Sequence, residues 1–125
     1  MLKLIIIGIG GFFGSIMRYG AGGFIHRWLN NPMFPYGTLF VNILGCFLIG
    51  VIGGLVEMRN VFSPEVRLFL LVGFLGGFTT FSSFGMETYY MIRDGQLIPA
   101  LGNIFGNVGF GLIAVWLGMN ATKLI

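Results

Sequence analysis

The sequence predicts an all-α membrane protein with four transmembrane helices per subunit, the third of them broken near mid-membrane. Three observations predict this. Charged residues make up 9% of the chain and hydrophobic residues 56%, with a mean hydropathy of +0.92, whereas a soluble domain carries roughly 25% charged residues. Four apolar segments of at least 20 residues succeed one another, each long enough for a hydrocarbon core of ~30 Å. The third segment contains Gly76-Gly77 followed by Thr79, Thr80, Ser82 and Ser83, a poor composition for continuous helix.

Composition also excludes several classes. The net charge of +3 is too small and too dispersed for a nucleic-acid partner. A single cysteine, Cys46, rules out an intramolecular disulfide. No nucleophile–base pair or phosphate-binding loop is present, which argues against an enzyme. Residues 1–125 read as one membrane-embedded domain.

The first span covers residues 4–28. Lys3 and the apolar run to Met17 have the look of a signal peptide, but Arg18 interrupts and no small-residue cleavage pattern follows. Gly8, Gly11, Ser15, Arg18 and Gly22 fall at 3-4-3-4 spacing and form one seam of a helix, whose glycines read as tight packing. Arg18 has two readings. A charge within a span usually faces a bundle interior or an aqueous cavity, where it would draw anions into a vestibule. A long basic side chain also reaches a headgroup by snorkelling. His26 has no partners for a metal site and reads as interfacial. Asn30-Asn31-Pro32 and Pro35 close the segment.

The second span covers residues 37–56 and ends at Glu57-Met58-Arg59-Asn60. Thr38, Asn42, Gly45, Cys46, Ile49 and Gly53 share a face. The Asn42 amide offers two donors and an acceptor; it would donate to a permeating anion or bond a neighbouring helix, the commoner role of a transmembrane asparagine.

Ser63-Pro64-Glu65 opens the third span with an N-cap, a proline at the first helical position and an acid in the first turn. The span stops at Arg93-Asp94-Gly95. The expected interruption divides it into residues 64–75 and 81–92, each about 18 Å long at 1.5 Å per residue. The break then lies at the midplane, where transporters place sites on discontinuous helices. Broken backbone at that depth must be buried in protein or line a water-filled cavity. The fourth span starts near Ile98, with Pro99 in its first turn, and runs towards Lys123. Asn103 and Asn107 stand one turn apart among glycines and read mainly as packing contacts.

Carboxylates are scarce. None precedes Glu57, and Glu57, Glu65 and Asp94 lie at span ends; only Glu87 is placed at depth. Cation channels show rings of Asp or Glu, and proton-coupled pumps need a titratable relay. The donors here suit an anion instead. Phe81 and Phe84 are three apart on one helix, and aromatic edges carry partial positive charge. Ser82 and Ser83, with Thr79 and Thr80, add hydroxyls. The carbonyls around Gly76 to Thr79 have the opposite capacity. Two from each subunit of a two-fold dimer would place four oxygens around one monovalent structural cation. Basic residues divide weakly between the two sides: Lys3, Arg59, Arg67 and Lys123 on the side of the termini, Arg27 and Arg93 on the other. Such a bias is compatible with a single orientation or with an antiparallel dimer.

These residues together resemble the small bacterial fluoride channels of the Fluc or CrcB family. The matching motifs are Gly11-x-x-Gly14-Ser15-x-x-Arg18, Gly37-Thr38-Leu39-x-x-Asn42, Gly76-Gly77-Phe78-Thr79-Thr80-Phe81-Ser82-Ser83-Phe84-x-x-Glu87 and Asn103-x-x-x-Asn107. The resemblance implies a dual-topology (antiparallel) homodimer in the bacterial inner membrane, with two pathways exporting cytoplasmic fluoride by passive electrodiffusion. It implies that Asn42, Phe81 and Phe84 contact fluoride and that Ser82 and Ser83 continue the track. It further implies that the carbonyls of Gly76 and Thr79 hold a central sodium ion, and that Arg18 belongs to the aqueous entrance. Gly111 stands where some relatives carry serine. The rival reading is a small multidrug/proton antiporter of four spans, which needs a carboxylate in its first span; this chain has none there.

Overall fold

Apolar runs bounded by helix-stopping residues become helices wherever the chain lies in lipid, because every backbone N–H and C=O must then be satisfied internally. The computed structural model describes residues 1–125 and contains four helices long and apolar enough to cross a membrane. The first span is Leu2–Leu29 and the second Tyr36–Arg59. Both end on asparagine, Asn30 and Asn60, in the left-handed conformation with φ 46° and 51°, which sends each cap N–H back to the carbonyl four residues earlier. Ser63 caps the third span through Val66 N–H at 3.3 Å. The third span is two half-helices. The first runs through residues 64–78, α-helical at Pro64–Arg67 and Leu75–Phe78 and π-helical over Leu68–Phe74. The second is Phe81–Arg93. The fourth span, Leu97–Ala121, carries a π-helical turn at Gly106–Phe110.

The break is narrower than the sequence suggests. Gly76 and Gly77 stay helical, and only Thr79 and Thr80 leave the helix. The propensity cost of two glycines is modest, and close packing offsets it: a Cβ on Gly77 would stand 2.7 Å from the Gly11 carbonyl oxygen. The tight surface of the first span is wider than the 3-4-3-4 line. Gly11 and Ser15 of that line stand against Gly77 and Gly22 against Gly37, but the buried residues are Gly10 and Gly14, and a Cβ on Gly14 would overlap the Phe74 carbonyl oxygen. Glycines occupy two adjacent ridges of this helix, so spacing alone does not choose between them.

These contacts set the order of helices. The first half-helix packs along the first span; the second span packs on both the first and the fourth; the second half-helix packs on residues 97–105 of the fourth. The third span therefore crosses, at its break, from the first helix to the last. Most large apolar side chains remain exposed on the single subunit, as expected where lipid or another copy covers the outside.

Candidate functional site

The site is built from the break. Thr79 (φ −84°, ψ 158°) and Thr80 (φ −149°, ψ 112°) are both extended. The Thr80 N–H, which would close a helical bond to the Gly76 carbonyl, donates instead to Asn42 Oδ1 at 2.8 Å. Asn42 Nδ2 donates back to the Thr80 carbonyl at 3.1 Å. This two-point pairing satisfies backbone groups that the break would otherwise strand in lipid. It also fixes which way the amide points, since an N–H only donates and a C=O only accepts.

From Asn42 the bonds run on in one direction. Asn42 Nδ2 donates to Asn107 Oδ1 at 2.8 Å. Asn107 Nδ2 donates to the Asn103 carbonyl at 2.9 Å and to Asn103 Oδ1 at 3.0 Å. Asn103, fully buried, donates through Nδ2 to Thr88 Oγ1 at 2.9 Å. Thr88 Oγ1 donates to the Phe84 carbonyl at 2.7 Å. Asn42, read from sequence as an anion donor or an interhelical contact, has both amide hydrogens committed to protein acceptors. Thr88 was not legible as part of this chain of bonds; the only sequence signal is its four-residue spacing from Phe84 and, before that, Thr80.

The two half-helices point opposite backbone charges at the break. The second begins at Thr80, whose Oγ1 accepts from Ser83 N–H at 3.2 Å and donates to Ser83 Oγ at 3.0 Å, with Ser82 Oγ 3.3 Å away. Its N-terminus presents positive partial charge and favours an anion. The first half-helix ends there in carbonyls, which favour a cation. Gly76 lies against open space, with nothing within 4 Å of an added Cβ. The Thr79 carbonyl accepts from Arg18 Nη1 at 3.3 Å, so the guanidinium turns inward to the break and not out to headgroup level.

Phe81 and Phe84 are neighbours, with ring centroids 5.4 Å apart and planes tilted by 57°. Their surroundings differ: Phe84 is 8% exposed and Phe81 82% exposed. A spacing of three leaves two side chains about 60° apart around a helix, enough to put one inside the subunit and one outside.

Two cavities meet at the break. A vestibule of about 900 Å³ is lined by Ser15, Arg18, Thr38, Thr80, Ser83 and Glu87, among others, with Pro32, Met33, Phe34, Asp94 and Gln96 contributing from the connecting loops. Glu87 Oε1 accepts from Thr38 Oγ1 at 2.7 Å. A smaller cavity of about 300 Å³ lies beside Asn42, Cys46, Leu75, Gly76, Thr79 and Phe81. Thr80 lines both. The structure thus brings Arg18, Ser83 and Thr80 to one cavity and Asn42, Gly76, Thr79 and Phe81 to the other. Ser82 is exposed beside Phe81.

An interrupted span whose second half is held at its start by an asparagine and flanked by hydroxyls is a build suited to a small ion. Comparison with known proteins agrees in kind. A protein of Geotalea daltonii named fluoride-specific ion channel FluC is 42% identical over 125 residues, covering 100% of each chain. Proteins of the same name from Chlorobium chlorochromatii (42% over 122 residues; 96% of this chain, 92% of the relative) and Methylobacillus flagellatus (37% over 124 residues; 99% and 97%) are similar along nearly their whole length. Residues 5–119 match the family described as CrcB-like protein, Camphor Resistance (CrcB), a span that covers most of each of the four helices and the break at Thr79 and Thr80, and the chain belongs to that family.

Proposed function

We propose that this protein is a fluoride-selective channel that releases cytoplasmic fluoride by passive electrodiffusion. The observation that carries the reading is the break itself: a helix N-terminus with three hydroxyl residues, Thr80, Ser82 and Ser83, between a polar vestibule and a second cavity. Fluoride is small and strongly hydrated, so a path for it must replace water with donors at close range, the same logic by which carbonyls replace a hydration shell in cation filters. In this reading Arg18 raises the anion concentration in the vestibule. Ser83 and Ser82 supply hydroxyl donors, and the ring edges of Phe81 and Phe84 meet the ion where it carries least water. Asn42 holds Thr80 in place, and it offers an N–H to the ion only by giving up Thr80 or Asn107.

The working unit is an antiparallel homodimer in the bacterial inner membrane. The exposed ring of Phe81 supports this, because a path formed partly by that ring needs a second surface to close it. The same dimer would bring together the carbonyls of Gly76 and Thr79 from two copies. These oxygens fit a hard monovalent cation such as sodium: Gly76 has lost its helical donor to Asn42, and a carbonyl has a second lone pair beyond the one Thr79 gives to Arg18. A cation there offsets the negative ends of the two first half-helices.

The test is ion efflux from vesicles containing only the purified protein, with internal fluoride or chloride and with sodium present or replaced by a bulky organic cation. The expected result is fluoride efflux that exceeds chloride efflux by orders of magnitude, needs no proton gradient and slows when sodium is withdrawn. Efflux that depends on a proton gradient would favour the antiporter reading. No fluoride efflux under any condition would end the proposal.

A further inference from the structure

We propose that Thr88 and Asn103, neither of which faces the two cavities, are positioning residues that set the fluoride path by holding the second half-helix in register. The inference rests on the channel reading above.

The half-helix Phe81–Arg93 is thinly supported. It packs on the start of the fourth span and touches the second span only lightly. Yet its first turns carry Phe81, Ser82, Ser83 and Phe84. Besides the Thr38–Glu87 bond, two polar ties hold the half-helix. At one end Asn42 grips both backbone groups of Thr80. At the other, Asn103 donates to Thr88, and Thr88 donates to the Phe84 carbonyl. Asn107 joins the two ties into one path, accepting from Asn42 and donating to Asn103. Asn103 has no exposed surface and Thr88 is buried, so neither has water to fall back on when a partner is lost. Hydrogen bonds running in one direction also polarise one another, so a change at Thr88 reaches Asn42 through the same chain.

The consequence is geometric. Cutting the tie at Thr88 removes the bond to the fourth span and leaves the half-helix tied only to the second, at Thr80 and through the Thr38–Glu87 hydrogen bond, so that it can tilt away from the fourth span. A small shift moves Phe84 and the serine hydroxyls by tenths of an ångström. For a bare fluoride that change is large, because its donors must stand at hydrogen-bond distance; for chloride, which is larger and gives up its water more easily, it matters less. Loss of the tie therefore slows fluoride and lowers its preference over chloride.

The experiment compares Thr88→Val, which keeps the shape and deletes the hydroxyl, with Thr88→Ser, which keeps the hydroxyl. Fluoride and chloride efflux are measured from vesicles of pure protein, alongside oligomeric state and Tm in detergent. Thr88→Val is expected to slow fluoride efflux by about tenfold, the rate equivalent of one net hydrogen bond, and to lower the fluoride-to-chloride ratio. Thr88→Ser is expected to restore both. A Thr88→Val protein with wild-type rate and ratio overturns the proposal. So does a slow Thr88→Ser protein, because the site would then be one of packing alone. If Thr88→Val does not assemble, Asn103→Ser, which shortens the donor without adding bulk, decides the matter by the same two readouts: a slower, less selective channel supports the positioning role, and a wild-type rate and ratio overturn it. A wild-type protein that passes no fluoride fails the channel reading; a wild-type protein that conducts beside an unaffected Thr88→Val fails only the positioning role.

Discussion

Asn42 repairs a broken helix with one side chain. Its amide has the same donor and acceptor as a peptide group, so it pairs with Thr80 as a neighbouring strand would. Leucine is close in size but pairs with neither group. Asn42→Leu should therefore leave the Thr80 N–H and carbonyl unsatisfied, at about 1–3 kcal/mol for each buried group, and lower the Tm of the purified protein as well as its ion flux. An unchanged Tm would mean that the pairing contributes nothing to stability. The sequence made Asn42 visible, since an amide in an apolar span stands out, but it left its role open. An amide that can both donate and accept does not reveal its partner, and the partner lies 38 positions along the chain. Arg18 was legible in the same partial way: its charge marks it, while its bond to the Thr79 carbonyl depends on where another helix breaks.

At the level of helices, the four spans and their ends were readable almost throughout. Ser63-Pro64-Glu65 and the two asparagine caps act locally, within one turn, and local chemistry survives in sequence. The break was readable in place but not in extent. Glycine weakens a helix without ending it, and Gly77 is held against the surface of the first span. Helix-to-helix contact also decides which glycines matter. Gly14 lets the first span approach the Phe74 carbonyl so closely that an added Cβ would collide with that oxygen. Gly14→Ala should push the two helices apart, cost about 1–3 kcal/mol through overpacking, and reduce the yield of monodisperse protein on size-exclusion chromatography. Wild-type yield and Tm would show that this crossing is not tight. The π-helical stretches Leu68–Phe74 and Gly106–Phe110 left no mark in the residue pattern, because a one-residue change in hydrogen-bond span leaves apolar periodicity nearly untouched.

For the whole molecule, the outside is as informative as the inside. A single subunit buries few side chains and leaves Phe81 82% exposed next to a nearly buried Phe84. Sequence spacing put both rings on one face; the surface of the chain passes between them. Composition identified the membrane, and the motif around the break pointed to the family. In the proposed dimer the surface that covers Phe81 is not legible in sequence, because it is a property of assembly and not of any local pattern. In the proposed channel these two rings, at the start of a half-helix positioned by Asn42, form the narrow part of the fluoride path. Fluoride efflux through Phe81→Ile and Phe84→Ile proteins probes this without intermediate steps, since isoleucine keeps the apolar bulk and removes the positive ring edge. Flux should be abolished or greatly slowed in both, with the oligomer intact on size-exclusion chromatography. Wild-type flux in both variants would contradict a path through these rings.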